Sequence, residues 1–143
     1  MENINRPRPY AQALERLRRV GLRPTRQRLA LAKLLFEQGD RHVTAERLHE
    51  EAGAAKVRVS LATVYNSLHQ FTQLGLLREV VVEAGRSYFD TNTSDHHHFF
   101  FEEKGELMDI PGDHVQVARL PQPPAGTRLR RVDVILRVQG REK

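Results

Sequence analysis

The spacing of apolar residues changes once along this chain, at Gly75, and that change limits the folds open to it. Before Gly75, apolar residues recur at three- and four-residue steps in four segments, as in amphipathic helices. After it, "LLREVVVEAGRSYFD" is rich in Val, Tyr and Phe around a turn at residues 83–86, which is typical of two short strands. The pattern predicts an α+β protein that begins with helices and a β-hairpin.

The helical segments carry their own start and stop residues. In "YAQALERLRRVG", the apolar residues Leu14, Leu17 and Val20 follow three-residue steps and the segment stops at Gly21. The other three each open at a hydroxyl residue able to cap a helix and close at a glycine: Thr25 to Gly39, Thr44 to Gly53, and Ser60 to Gly75. Helices followed by a hairpin indicate a winged helix, in which the last helix enters the DNA major groove.

From residue 94 the chain is typical of a second unit. "HHFFFEEKGELMDI" predicts a hairpin with Lys104-Gly105 as its turn, and "GDHVQVARL" predicts a short helix. "RVDVILRV" predicts a final strand with alternate residues on one face: Val132, Val134, Leu136 and Val138. So small a unit has exposed strand edges, and we expect it to complete its core by forming a homodimer.

These patterns predict three regions. Residues 1–90 form a winged-helix DNA-binding domain, residues 91–95 a hinge, and residues 96–143 a small α/β domain for dimerisation and for metal or haem sensing. No run approaches the roughly 18 apolar residues of a membrane span, and the first residues lack the apolar core of a signal peptide. We expect a cytoplasmic protein with no membrane partner.

Composition limits the chemistry of any bound metal. The 143 residues include no cysteine, which excludes disulfides, iron–sulfur clusters and a structural zinc site made of cysteine thiolates. A metal must therefore be held by His, Asp and Glu, or by a cofactor.

Charge is unevenly distributed along the chain. Residues 1–80 carry 14 Lys and Arg against 8 Asp and Glu, whereas residues 81–127 carry 3 against 8. The first 28 residues alone carry 8 basic against 2 acidic side chains. The first portion suits a polyanion and the second suits cations.

The stretch "TSDHHHFFFEEKGELMDIP" concentrates histidines and carboxylates. Side chains alternate across a strand, so His96 and His98 share one face and His97 points to the other. A two-residue turn at Lys104-Gly105 pairs Phe100 with Asp109 and leaves Asp109 on the face of the two histidines. Two imidazoles and a carboxylate on one face make a usable nitrogen and oxygen metal site.

Other residues are candidate ligands by position. Asp90 ends the second strand of the first hairpin, and His42 in "DRHVTAE" stands at the start of a helix of the DNA-binding domain. A ligand at His42 would tie the orientation of that domain to metal occupancy. His97 and His114 are weaker candidates. The alternative is that the histidines are simply solvated.

The segment "SLATVYNSLHQF" combines an apolar stripe with a polar start. The residues predicted to contact DNA are small or hydrogen-bonding: Ser60, Ala62, Thr63, Tyr65 and Asn66. Arginines of "RPRP" and "LRPTRQR", among them Arg23, Arg26 and Arg28, are predicted to contact phosphates or the minor groove. For any single arginine, a solvated basic face is the alternative.

Four stretches together resemble a known family. "GLRPTRQRLALAKLL", "HVTAERLHEE", "SLATVYNSLHQFTQLGLL" and "HHHFFFEEKGELMDI" resemble, in order and spacing over about residues 13–111, the ferric uptake regulator (Fur) family of metal-responsive repressors. Within it, "SYFDTN" and "SDHHHFF" are most similar to the iron response regulators (Irr) of alphaproteobacteria, which also lack the family's Cys pairs.

The resemblance implies roles for particular residues. It implies a regulatory metal site at five of them: His42, Asp90, His96, His98 and Asp109. It also implies that Tyr65 contacts a base and that Arg23 enters the minor groove. Likeness to Irr implies haem sensing through His96, His97 and His98, with haem weakening DNA binding. Phe101 and Lys104 stand where the family's first Cys pair lies, so its thiolate-held structural zinc is not expected.

These observations predict a dimeric regulator that binds an A/T-rich inverted repeat in double-stranded DNA. Its affinity is set by haem or by a divalent metal, which is Mn, Fe or Zn. The alternatives are a Fur-type repressor that uses the metal without haem, and a non-specific basic DNA-binding protein. An enzyme is not expected, since "HEEAG" lacks the second histidine of the HExxH motif and no nucleophile–base motif is present.

Overall fold

The computed structural model describes residues 10–140, and the chain divides into two compact units, Met1–Thr93 and Ser94–Lys143. The α+β class is confirmed, with four helices and a small sheet in the first unit and a second small sheet in the other. The arginines of "RPRP" lie outside the described residues. None of the described helices is long and apolar enough to cross a membrane.

The helices of the first unit are α1 (Ala11–Arg19), α2 (Arg26–Phe36), α3 (Ala45–Ala54) and α4 (Leu61–Gln73). The predicted caps are confirmed, because Thr25, Thr44 and Ser60 each accept a hydrogen bond from the backbone N–H three residues on. The predicted stop at Gly53 is wrong. That glycine lies inside α3, and the chain instead turns at Lys56, which has a φ of 62°.

The sheet of the first unit has three antiparallel strands, β1 (His42–Val43), β2 (Arg78–Glu83) and β3 (Arg86–Asp90), in the order β1-β3-β2. The predicted hairpin is confirmed, with Glu83 paired to Arg86. Strand β1 was not predicted. It places His42 in a strand opposite Asp90, rather than at the start of a helix.

The core of this unit fixes the orientation of α4. Val64, Leu68 and Phe71 are fully buried, and the ring of Phe71 lies 6.4 Å from that of Phe36 in α2. Residues of the opposite face, such as Ala62 and Asn66, are exposed. The apolar stripe therefore holds the helix with its polar face outward.

The sheet of the second unit has the order β5-β4-β6, from β4 (His96–Phe101), β5 (Glu106–Pro111) and β6 (Ile135–Val138). The predicted register of β4 and β5 is wrong by two residues, since Asp109 pairs with His98 rather than Phe100. The reason is a longer turn, in which residues 102–105 lie outside the ladder and Gly105 N–H donates to the Phe101 carbonyl at 2.8 Å. An even shift keeps every side chain on its predicted face.

Two other predictions for this unit need correction. In place of a helix over "GDHVQVARL", the structure has one 3-10 turn, Gly112–His114, because two β-branched valines and a proline-rich stretch follow it. Strand β6 begins only at Ile135, pairs with β4 in parallel, and leaves Leu136 41% exposed.

Candidate functional site

The first unit contains a histidine–carboxylate pair, here called the first ligand group. His42 and Asp90 are cross-strand partners, and His42 Nε2 lies 3.2 Å from Asp90 Oδ2. The Asp90 side chain is 1% exposed, and its Oδ1 accepts the backbone N–H of Asn92 at 2.9 Å. The pair supplies one imidazole and one oriented carboxylate.

Residues next to this pair tie it to two helices. Arg41 N–H donates to Thr91 Oγ1 at 2.8 Å, and Thr91 N–H donates to the Arg41 carbonyl at 3.0 Å. The Arg41 guanidinium donates to both carboxylate oxygens of Glu51 in α3, at 2.9 and 2.7 Å, and to the Leu34 carbonyl in α2 at 2.9 Å. Hydrogen bonds from Arg41 outweigh burial and lower the pKa of Glu51. The first ligand group is thus anchored on a rigid frame.

The second unit contains His96, His98 and Asp109, here called the second ligand group. Asp109 Oδ1 lies 3.3 Å from His96 Nε2 and 3.4 Å from His98 Nε2. The two imidazole centroids are 4.6 Å apart, and one ligand atom from each of the three residues lies within 4.8 Å of the others. Both histidines are buried, at 4% and 2% exposure. The alternation of β4 and its register with β5 bring the three together.

The tautomer of His96 suits a ligand. Its Nδ1 lies 2.7 Å from the Ser94 carbonyl, which can only accept, so Nδ1 carries the proton. In neutral His96 the Nε2 lone pair then faces a carboxylate oxygen of Asp109. Two acceptor atoms only 3.3 Å apart need a proton or a cation between them. A metal-bound histidine usually donates its other ring N–H to a backbone carbonyl or carboxylate, as His96 does to Ser94.

The weaker metal candidates lie elsewhere. His97 is on the opposite face of β4, where its Nδ1 accepts the backbone N–H of Val134 at 3.2 Å. His114 is exposed in the 3-10 turn, with its Nε2 4.0 Å from Asp113 Oδ1. The structure brings neither of them to the face shared by the second ligand group.

A groove of about 460 Å³ runs between the start of α2 and the polar face of α4. It is lined by Thr25, Gln27, Arg28, Thr63, Asn66, Ser67, His69, Gln70 and Gln73. Three predicted DNA contacts are therefore in one groove: Arg28, Thr63 and Asn66. Sequence reasoning missed Gln70 and Gln73, although their spacing from Asn66 puts all three on one helix face.

The remaining predicted DNA contacts are accounted for individually. Arg23 and Arg26 are exposed, as is Ala62, whereas Ser60 uses its hydroxyl to cap α4 and to donate to Thr63 Oγ1 at 2.9 Å. Tyr65 donates its hydroxyl to Glu46 Oε2 at 2.7 Å.

The Tyr65 hydroxyl and ring both have partners. The hydrogen bond to Glu46, with smaller effects of burial and the nearby negative charge, raises the pKa of Tyr65. Its ring stacks on His69 with centroids 6.3 Å apart, and His69 meets Phe89 edge-on at 5.5 Å. His69 therefore links α4 to β3.

Comparison with known proteins matches most of the chain. A family model described as the ferric uptake regulator family matches residues 19–133. The peroxide-responsive repressor PerR of Staphylococcus aureus is 30% identical over 112 residues, which are 78% of this chain and 75% of that protein.

Solved structures share the fold. The ferric uptake regulator of Pseudomonas aeruginosa with manganese has a TM-score of 0.68 at 25% identity, over 91% of this chain and 98% of the other. That of Vibrio cholerae also has a TM-score of 0.68, at 24% identity, over 88% and 98%.

Proposed function

This chain belongs to the ferric uptake regulator family of metal-responsive transcriptional regulators, and we propose that a divalent ion held by both of its ligand groups sets its affinity for DNA. The proposed ligands are His42 and Asp90 of the first group with His96, His98 and Asp109 of the second. The regulator acts as a cytoplasmic homodimer on an A/T-rich inverted repeat.

One observation carries the proposal: two buried imidazoles direct their Nε2 atoms at a single oxygen of Asp109. Three donor atoms are one fewer than the four that usually bind Zn(II), and Mn(II) usually binds more than four. A complete site therefore needs further ligands. The first ligand group offers a further imidazole and carboxylate. Three nitrogens and two oxygens, with no thiolate, suit Zn, Fe or Mn, and manganese is the metal of the solved Pseudomonas aeruginosa relative.

The proposed ligands lie on both sides of residues 91–95, the predicted hinge. An ion that draws on both groups restricts that hinge and so restricts the orientation of α4. In a dimer, the two copies of α4 must be spaced to match successive turns of the major groove. The ion favours DNA binding only as far as it binds this arrangement more tightly than the others.

The proposed DNA contacts follow from the exposed face of α4. Thr63, Tyr65 and Asn66 read base edges, and an asparagine pairs in bidentate fashion with adenine. Ser60 and Ala62 line the approach to the bases. Arg23, Arg26 and Arg28 contact phosphates or the minor groove.

Haem sensing of the Irr type is a second candidate, favoured by the other face of β4. His97, Phe99 and Phe101 share that face and are each half-buried, so an imidazole stands beside two aromatic rings that suit a porphyrin. If His97 held the iron through Nε2, its ring proton would lie on Nδ1, and Nδ1 could then no longer accept the Val134 N–H. Loss of this hydrogen bond would loosen the start of β6, and in this way haem would weaken DNA binding. His96 and His98 are the other proposed haem ligands.

DNA affinity measured by fluorescence anisotropy tests both candidates. The metal-free protein is titrated on an A/T-rich inverted repeat at fixed salt, alone and with Mn(II), anaerobic Fe(II), Zn(II) or one equivalent of haem. A metal-dependent gain in affinity that is lost in His96→Ala/His98→Ala, and kept in the exposed control His114→Ala, supports the divalent-metal regulator.

Two other outcomes change the conclusion. A loss of affinity with haem that disappears in His97→Ala selects the haem sensor. If neither metals nor haem changes the affinity of the wild type, the proposed regulation is wrong.

A further inference from the structure

We infer that a second groove beside α4, here called the cationic groove, binds phosphates of the DNA backbone; this rests on the proposed function. The groove has a volume of about 520 Å³. The start of α2 and the connection between α3 and α4 line it, through Arg26, Gln27, Ala30, Lys56, Val57 and Arg58. Neither Lys56 nor Arg58 was among the predicted DNA contacts.

Within the part of the chain that the structure describes, no carboxylate neutralises the charge of the cationic groove. Within residues 10–140, Arg26, Lys56 and Arg58 form no ion pair, and the lining contains no Asp or Glu. Other cations of the same unit do have carboxylate partners, as Arg41 and Arg47 have in Glu51. Cations that line a concave surface without counter-charge concentrate a positive potential that attracts a polyanion.

Lys56 occupies a backbone position that favours glycine. Its N–H donates to the Gly53 carbonyl at 3.0 Å, and Val57 N–H donates to the Ala52 carbonyl at 2.8 Å. These two bonds form a Schellman motif, whose left-handed residue is usually glycine. Lys56, at a φ of 62°, is the one non-glycine residue with positive φ among residues 10–140. A strained lysine at a glycine position is consistent with a role for its charge.

A hydrogen bond connects the two sides of the cationic groove. Gln27 Nε2 donates to the Arg58 carbonyl at 3.1 Å, and Arg58 stands two residues before Ser60, the N-cap of α4. A phosphate held in this groove would therefore be fixed relative to the N-terminal turn of α4. Contacts of this kind set the register of a helix in the major groove without reading sequence.

The salt dependence of DNA binding tests the inference on the full chain with Mn(II). Affinity is measured between low and moderate salt on the operator duplex and on a scrambled duplex of equal length. The variants are Lys56→Gly, which removes the charge and the strain, Arg58→Gln, and the charge-retaining Lys56→Arg. Lys33→Gln, an exposed α2 lysine outside the groove, is the control.

Log affinity falls as log salt rises, and loss of one phosphate contact makes this fall less steep by about 0.9. In a dimer each substitution removes its contact twice. We expect this decrease for Lys56→Gly and Arg58→Gln on both duplexes, with the ratio between duplexes unchanged. Lys56→Arg and Lys33→Gln keep the wild-type slope. Because Lys56→Gly also relieves strain, its Tm should equal or exceed that of the wild type.

The outcomes separate this inference from the proposed function. If the wild type binds its operator in a metal-dependent way but the two charge-removing variants keep its slope, the cationic groove is not a phosphate site and the proposed function stands. If those variants lose discrimination between duplexes, their side chains read bases instead, and the inference is wrong. A wild type that binds neither duplex overturns both.

Discussion

Replacing Glu51 with glutamine tests whether the frame behind the first ligand group stabilises the protein as its geometry indicates. Glu51 accepts two hydrogen bonds from Arg41 and a third from Arg47 at 3.2 Å. Glutamine keeps the shape of the side chain but removes its charge and one acceptor oxygen. The variant therefore isolates the charge-assisted bidentate pair.

The expected loss is dominated by Arg41. Its side chain and that of Glu51 are 22% and 24% exposed, so solvent screens this pair only in part. A hydrogen bond to a charged group contributes about 1.5–3 kcal/mol, and we expect Glu51→Gln to cost about 2 kcal/mol. Arg47 is 67% exposed, and its share is about 0.5 kcal/mol or less. For a chain of this length, 2 kcal/mol lowers the Tm by about 8 °C.

The pH dependence of this loss has a defined sign. The folded-state pKa of Glu51 lies below its ordinary value of 4.5, so the carboxylate adds stability above pH 4.5 and loses it as the pH falls through the folded-state pKa. The difference in Tm between wild type and Glu51→Gln should therefore be constant near neutral pH and shrink in acid.

Thermal unfolding followed by circular dichroism at several pH values measures this difference. Glu50→Gln is the matched control, since Glu50 is the exposed neighbour of Glu51 and forms no ion pair with a described residue. Equal Tm values for Glu50→Gln and Glu51→Gln at pH 7, or a difference that persists unchanged in acid, would refute the reasoning.

Four further substitutions have defined outcomes. Leu68→Ala empties a fully buried position in α4 and should lower the free energy of unfolding by about 3 kcal/mol in urea titrations. In Gly112→Ala the new Cβ would lie 2.8 Å from the Asp95 carbonyl oxygen, and this clash should lower the free energy of unfolding by about 1–3 kcal/mol. Gly53→Ala adds a Cβ in open space within α3 and should raise that free energy by up to about 1 kcal/mol in the same titrations. Asp109→Asn should weaken Mn(II) binding at least about tenfold by isothermal calorimetry while leaving the metal-free protein folded.

The second ligand group could be predicted from sequence because it depends on side-chain parity rather than on register. The predicted turn was too short by two residues, yet Asp109 stayed on the face of His96 and His98, since strand side chains alternate with a period of two. An error of one residue would have moved Asp109 to the face of His97.

Other features of the fold have no local signal in the sequence. Strand β1 is two residues long and forms by pairing with β3, so it is too short to show an alternation of apolar and polar residues in the sequence. The parallel pairing of β6 with β4 brings together segments more than thirty residues apart, which periodicity does not report. The prediction that α3 ends at Gly53 assumed that a glycine would take the left-handed position after the helix. In the structure Gly53 lies inside α3, and Lys56 takes that left-handed position.

If Tyr65 contacts a base, as proposed, its hydrogen bond to Glu46 makes that contact an exchange of partners. A base that presents an acceptor to Tyr65 must displace a carboxylate at 2.7 Å, so the net gain is the difference between two hydrogen bonds. If the base offers no acceptor, the Tyr65 hydroxyl keeps its hydrogen bond to Glu46, and no polar group is left without a partner. Tyr65 would then reject a wrong base only mildly, and the stringency of base recognition by α4 would rest with neighbours that have no such internal partner.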